Sequence, residues 1–111
     1  MSFVDTNKLK VIERLPGWRG RYFASPSMTF AHYEFDAGAV IHEHWHPQEE
    51  VWTVIEGELD ITIDGVTERS GPGCAGVIPP NTKHRVNALS NGRVIVVDYP
   101  LRESSFFQEH S

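Results

Sequence analysis

The chain holds a single cysteine, Cys74, so an internal disulfide framework is excluded and a reducing, cytoplasmic setting is expected. No apolar run approaches the roughly 20 residues a membrane helix needs, so no membrane span is expected. The first thirty residues mix Asp5, Lys8, Lys10, Glu13 and Arg14 with apolar positions and contain no signal-peptide core. Lys and Arg are not clustered and the net charge is −5, which argues against a nucleic-acid partner. Internal repeats, low-complexity tracts and sustained helical periodicity after residue 25 are also missing. What remains is 111 residues, enough for one domain, with 40% hydrophobic and 11% aromatic residues, a composition that folds.

Period-two alternation fills most of that length, broken by Gly or Pro every eight to twelve residues. Thr29 to Phe35 places Ala31, Tyr33 and Phe35 on one face and His32 and Glu34 on the other. Val51 to Ile55 is β-branched and aromatic, as strands prefer. Leu59, Ile61 and Ile63 alternate with polar residues up to Asp64-Gly65, a dipeptide suited to the positive φ angles of a type I′ hairpin turn. Val77-Ile78 and the buried-type run Arg93 to Tyr99 complete the series. Seven or eight short strands with short turns indicate an all-β, antiparallel sandwich or barrel with room for a ligand between its sheets. Residues 1–25 are expected as an N-terminal arm, strand or short helix, 26–102 as the barrel, and 103–111 as a loosely held tail.

Three histidines fall within five residues: His42-Glu43-His44-Trp45-His46, followed by Pro47 and Glu50. In a strand all three would point to one face, with α-carbons about 6.6 Å apart two residues on. Two imidazoles at that spacing can tilt onto one metal ion, and Glu50, after the Pro47 turn, can add a carboxylate oxygen. Without a metal, the same face would bury many polar atoms needing partners. The segment also satisfies H-E-x-x-H, the zinc-peptidase pattern. That chemistry needs a helix of several turns, which Gly38, Val40, Ile41 and Pro47 oppose.

The pattern Gly38-x5-His44-x-His46-x3-Glu50-x6-Gly57 resembles the first motif of the cupins without a gap. Gly73-x5-Pro79-x-Asn81-x2-His84 resembles their second motif, with Asn81 in place of the usual glycine and Ala88 where a closing asparagine is usual. Asn tolerates left-handed backbone better than most residues. The 15-residue spacer between Gly57 and Gly73 is like that of small single-domain microbial cupins. The resemblance implies a jelly-roll barrel and a metal held by His44, His46, Glu50 and His84, the last supplied by the resemblance alone. His42 lies outside the pattern, as an outer-layer group or alternative ligand.

Three neutral imidazoles and one carboxylate around a divalent ion leave a net charge near +1, suiting Fe, Mn, Ni, Co, Cu or Zn. Parity places Trp52, Tyr33 and Phe35 toward the cavity. The ending Asp98-Tyr99-Pro100-Leu101-Arg102 is similar to that of the pectin-degradation cupins that linearise unsaturated uronates, where an arginine after a proline helps hold a carboxylate. Arg102 fits that place. The expected function is a metal-dependent enzyme on a small molecule, either a dioxygenase or an isomerase or lyase; the alternative is a metabolite- or metal-sensing module without turnover. A homodimer is expected, with Trp18, Tyr22 and Phe23 of the N-terminal stretch as contacts.

Overall fold

The protein is described by a computed structural model covering residues 2–102. A short 3-10 turn, Thr6–Lys8, is capped by Asp5, whose carboxylate accepts the Asn7 N–H at 3.0 Å. Ten strands follow: β1 Ile12–Leu15, β2 Trp18–Ala24, β3 Thr29–Phe35, β4 Val40–His44, β5 Glu49–Glu56, β6 Leu59–Ile63, β7 Val66–Ser70, β8 Ala75–Ile78, β9 His84–Ala88 and β10 Gly92–Tyr99.

They form a six-stranded sheet in the order β1-β2-β3-β10-β5-β8 and a four-stranded sheet in the order β4-β9-β6-β7. Every pairing is antiparallel. The inner faces bury Trp18, Tyr22, Ala31, Phe35, Trp52, Val54, Val94 and Val96 from the large sheet against Leu59, Ile61, Val86 and Ala88 from the small one. This is the expected all-β jelly-roll sandwich. Among the described residues no helix is long and apolar enough to cross a membrane.

The turn chemistry follows the sequence. Asp64 and Gly65 take φ angles of 49° and 80°, so the β6–β7 hairpin has both central residues left-handed. Asn81 takes φ 58°, the conformation for which glycine is the commoner choice.

The N-terminal stretch is part of the sandwich. Of the segment expected as strand or short helix, residues 12–24 form β1 and β2, two strands integrated into the large sheet. Trp18 and Tyr22 are buried against Phe35, Trp52 and Tyr33, with Trp18 edge-on to Trp52 at 5.8 Å. Burying these two aromatic side chains stabilises the fold by roughly 2–3 kcal/mol each, so they are not surface contacts. Phe23 alone of the three faces outward. The expected tail, 103–111, lies outside the described residues.

Candidate metal centre

The two sheets meet at one end of the sandwich. There His44 ends β4 and His84 begins β9, directly opposite each other in register. His46 sits in the turn between β4 and β5, and Glu50 lies on β5, in the other sheet. The β4–β5 turn is tied to the turn before β9: left-handed Asn81 donates its backbone N–H to the His46 carbonyl at 2.8 Å.

Each imidazole is oriented by the main chain. His44 Nδ1 meets the His42 carbonyl at 2.7 Å, His46 Nδ1 the Gln48 carbonyl at 3.1 Å, and His84 Nδ1 the Thr82 carbonyl at 2.8 Å. A carbonyl only accepts, so each Nδ1 carries the hydrogen and, in the neutral ring, each Nε2 presents a lone pair. A ligand nitrogen from each of His44, His46 and His84 lies within 4.8 Å of the others.

Glu50 closes the group. Its Oε1 is 3.3 Å from His46 Nε2 and its Oε2 is 3.2 Å from His84 Nε2. Two donor atoms bound to one ion at about 2.1 Å sit roughly 3.0–3.4 Å apart, so these separations suit neighbouring ligands of a single metal. The chemistry of the contacts points the same way. His46 Nε2 and His84 Nε2 are buried without a hydrogen-bond partner. A lone pair facing a carboxylate oxygen is repulsive unless a cation lies between them, and a divalent ion meets that need at both contacts. The residues present therefore fit a metal.

Around Glu50 the polar network is dense. Burial alone would raise its pKa, but its polar contacts with His46, His84, Asp98 and Trp52 outweigh that and hold it well below the usual carboxylate range. Trp52 donates its indole N–H to Glu50 Oε2 at 2.6 Å. Asp98 stands opposite Glu50 in the β10–β5 register and is 2% exposed. Burial, then the adjacent Glu50 carboxylate, pushes its pKa up to about 9. Arg102 reaches both, with Nη1 3.4 Å from Asp98 Oδ2 and 3.7 Å from Glu50 Oε1. Burial lowers the pKa of His44.

A cavity of about 480 Å³ opens onto this group, lined by Arg14, Tyr33, Ile41, His42, His44, Glu50, Trp52, Asp98 and Arg102 among others. Of the expected lining residues, Tyr33, Trp52 and Arg102 are therefore on the wall. Phe35 is not: it is 1% exposed and packs in the core against Trp18 at 5.5 Å. It shares the parity of Tyr33 but lies farther from the metal end.

His42 also departs from the strand rule. The β4–β9 register shifts between Ile41 and His44, and this bulge breaks the alternation that would have aligned His42 with His44 and His46. His42 is exposed at the cavity mouth and outside the ligand group, contributing its carbonyl to His44. Asp98 and Arg14 had no assigned place in the site. Asp98 was marked only as the first residue of the ending that includes Arg102, and Arg14 by nothing local.

A two-sheet jelly roll with a three-histidine, one-carboxylate group between its sheets that could hold a metal defines a cupin-type barrel. The cupin domain family model matches residues 31–99, more than half of the chain, and the chain belongs to that family. It is 28% identical over 81 residues to an uncharacterized protein of Streptomyces coelicolor, covering 72% of this chain and 77% of that one. Among solved structures it superposes on KdgF from a Halomonas species with a TM-score of 0.86 and 28% identity, covering 93% of this chain and 96% of that one. An RmlC-like cupin from Shewanella frigidimarina gives a TM-score of 0.87 at 24% identity, covering 93% and 94%. Oxalate decarboxylase of Bacillus subtilis, a protein with Mn(II) centres, gives 0.81 at 19% identity over 93% of this chain and 30% of that one.

Proposed function

We propose that this cupin is a metal-dependent enzyme of the isomerase or lyase type that acts on a small, carboxylate-bearing molecule. The observation that carries the reading is the placement of Arg14 and Arg102 on the wall of the cavity that opens onto the His44, His46, His84 and Glu50 group. With a divalent ion in place, the two guanidiniums and the ion outweigh the Glu43, Glu50 and Asp98 carboxyl groups on that wall. An anionic substrate is therefore favoured in a partly desolvated site. The similarity to KdgF and the likeness of the Asp98 to Arg102 ending to the uronate-linearising cupins support a sugar acid as the substrate.

His44, His46, His84 and Glu50 would hold the metal, which supplies Lewis acidity to a substrate oxygen. Arg102 binds the substrate carboxylate through its planar fork and sets the distance between that carboxylate and the metal end of the cavity. Tyr33 and Trp52, stacked at 6.3 Å, form an aromatic wall that excludes water from one face of the substrate. Trp52 also fixes the Glu50 carboxylate through its indole N–H.

The test is turnover of unsaturated uronates and other small sugar acids by protein loaded with each divalent metal, with dissolved oxygen monitored. Turnover without oxygen uptake is expected, lost together with metal content in His46→Ala. Arg102→Gln should keep its metal but raise KM for the carboxylate substrate at least about tenfold, the equivalent of one charged hydrogen bond. Oxygen consumption in step with turnover overturns the reaction class. Stabilisation by ligand with no product from any substrate favours a sensor instead.

A further inference from the structure

The cavity has a second polar end, away from the metal group. On the inner face of the large sheet Asp98 and Glu50 form one row, Tyr22, Ala31, Val96 and Trp52 the next, and Gly20, Tyr33, Val94 and Val54 the one beyond. Tyr22 crosses between the last two. Its ring lies over Gly20, where an added Cβ would stand 2.5 Å from both Cζ and the hydroxyl oxygen, so glycine is what leaves that space. Because Gly20 is opposite Tyr33 in register, this brings the Tyr22 hydroxyl to 3.3 Å from the Tyr33 hydroxyl. The Arg14 side chain, from the neighbouring strand β1, hydrogen-bonds Tyr22 as well. A guanidinium only donates, so the Tyr22 oxygen accepts. Arg14 is the additional residue of a bulge, with Glu13 opposite Arg19 and Leu15 opposite Trp18, and bulges re-aim side chains.

A continuous wall joins the two ends. Glu50 accepts the Trp52 indole N–H, Trp52 stacks on Tyr33, Tyr33 meets Tyr22 and Tyr22 holds Arg14. Arg102 follows β10 and Arg14 is on β1, three strand spacings away, so their backbones are about 14 Å apart with both side chains on the wall of the same cavity. We infer that Arg14 is a second anion-binding group and that the substrate is a small dicarboxylic acid, with one carboxylate at Arg102 and the other at Arg14. This rests on the reading of Arg102 given under the proposed function and narrows it: among sugar acids it selects those with a carboxylate at both ends.

The chemistry between the ends agrees. Tyr33, Ile41, Trp52 and Val96 line the middle of the cavity, so a guanidinium stands at either end of a largely apolar passage. That is the complement of a carbon chain with an anion at each terminus. Burial raises the pKa of Tyr22 and holds that of Tyr33 well above the ordinary value, so both phenols stay neutral at neutral pH. The Tyr22 oxygen therefore orients the Arg14 guanidinium without cancelling its charge. Tyr22 is a positioning residue in this arrangement, and Gly20 makes its position possible.

Titration calorimetry of the metal-loaded protein tests this, with succinate and glutarate set against butyrate and valerate, their monocarboxylate counterparts of equal carbon number, at fixed ionic strength. Each dicarboxylate should bind at least about tenfold more tightly than its counterpart, as one added charged hydrogen bond provides. Arg14→Gln should abolish that ratio and leave butyrate and valerate binding unchanged, whereas Arg102→Gln should weaken all four. Arg14→Lys, which keeps the charge and loses the planar fork, should retain only part of the ratio. Tyr22→Phe should lower the ratio through Arg14, with monocarboxylate binding, metal content and circular dichroism unchanged; a full ratio in that variant overturns the positioning role. Equal binding of the paired acids overturns the inference and leaves the proposed function standing. A ratio that survives Arg14→Gln overturns it too, as does a loss in that variant shared equally by all four acids. A wild type that binds none of the four overturns both the inference and the carboxylate reading of Arg102.

Discussion

Replacing Trp52 with Phe isolates the contact that orients the carboxylate of the candidate metal centre. The indole Nε1–H donates to Glu50 Oε2 at 2.6 Å, and both side chains are buried, at 3% and 4% exposure. A hydrogen bond to a charged acceptor contributes about 1.5–3 kcal/mol. Phe keeps the aromatic packing against Trp18 and Tyr33 but leaves a gap where the second ring stood. At about 24 cal/mol per Å³ that gap adds up to roughly 1 kcal/mol, and less where the open cavity already borders the ring. The metal-free protein should lose about 2–4 kcal/mol of unfolding free energy in urea, followed through the fluorescence of Trp18 and Trp45. Glu50→Gln in the same background separates the two contributions, because the packing loss persists while the charged acceptor is gone. A double-mutant cycle should give a coupling of about 1 kcal/mol or more. A Trp52→Phe cost under about 1 kcal/mol, or a coupling within the roughly 0.3–0.5 kcal/mol of simple additivity, would refute this account of Glu50.

Two further outcomes follow from the same region. Burial raises the pKa of Tyr22 and holds that of Tyr33 well above the ordinary value, so both rings should ionise late in an alkaline ultraviolet titration. The folded chain then keeps protons that the unfolded chain releases near pH 10. This stabilisation is fully present below about pH 10 and falls as pH rises toward the folded values; Tyr33→Phe should flatten that fall, and an unchanged slope would count against it. Adding a divalent ion at a hundredfold excess over its Kd should stabilise the protein by about 2.7 kcal/mol, about 10 °C in Tm for a chain of this length. His46→Ala should show no such shift, and an equal shift in the variant would place the ion elsewhere.

The parts of the fold written in local chemistry were readable from the sequence. Asp64-Gly65 and Asn81 adopt the left-handed angles their residue types favour, and the alternation in β3 and β6 places Ala31, Phe35, Leu59 and Ile61 on the buried faces. What escaped depends on pairing between distant segments. Trp18 and Tyr22 read as an exposed arm because nothing in residues 12–24 reveals that β2 pairs with β3 and completes the large sheet. The bulge between Ile41 and His44 is invisible to a rule that assumes unbroken alternation, so His42 was aligned with histidines it does not join. Asp98 enters the site because β10 lies beside β5 in the register that opposes it to Glu50, a fact of topology rather than of spacing.

The three backbone carbonyls that orient the imidazoles show how a site of this kind is built with few committed side chains. His42, Gln48 and Thr82 each supply a carbonyl to a histidine two residues away. Contacts at that separation come from the path of a strand end or a tight turn, so the backbone that forms the sheets also selects the Nδ1–H tautomer and aims Nε2 inward. Asn81 extends this economy by joining the His46 turn to the His84 turn through main-chain atoms alone. The carbonyl that holds His44 is present whatever side chain stands at position 42, so the site places no demand on that imidazole. Proximity in sequence made His42 resemble a ligand, and its role through the main chain accounts for its position at the rim.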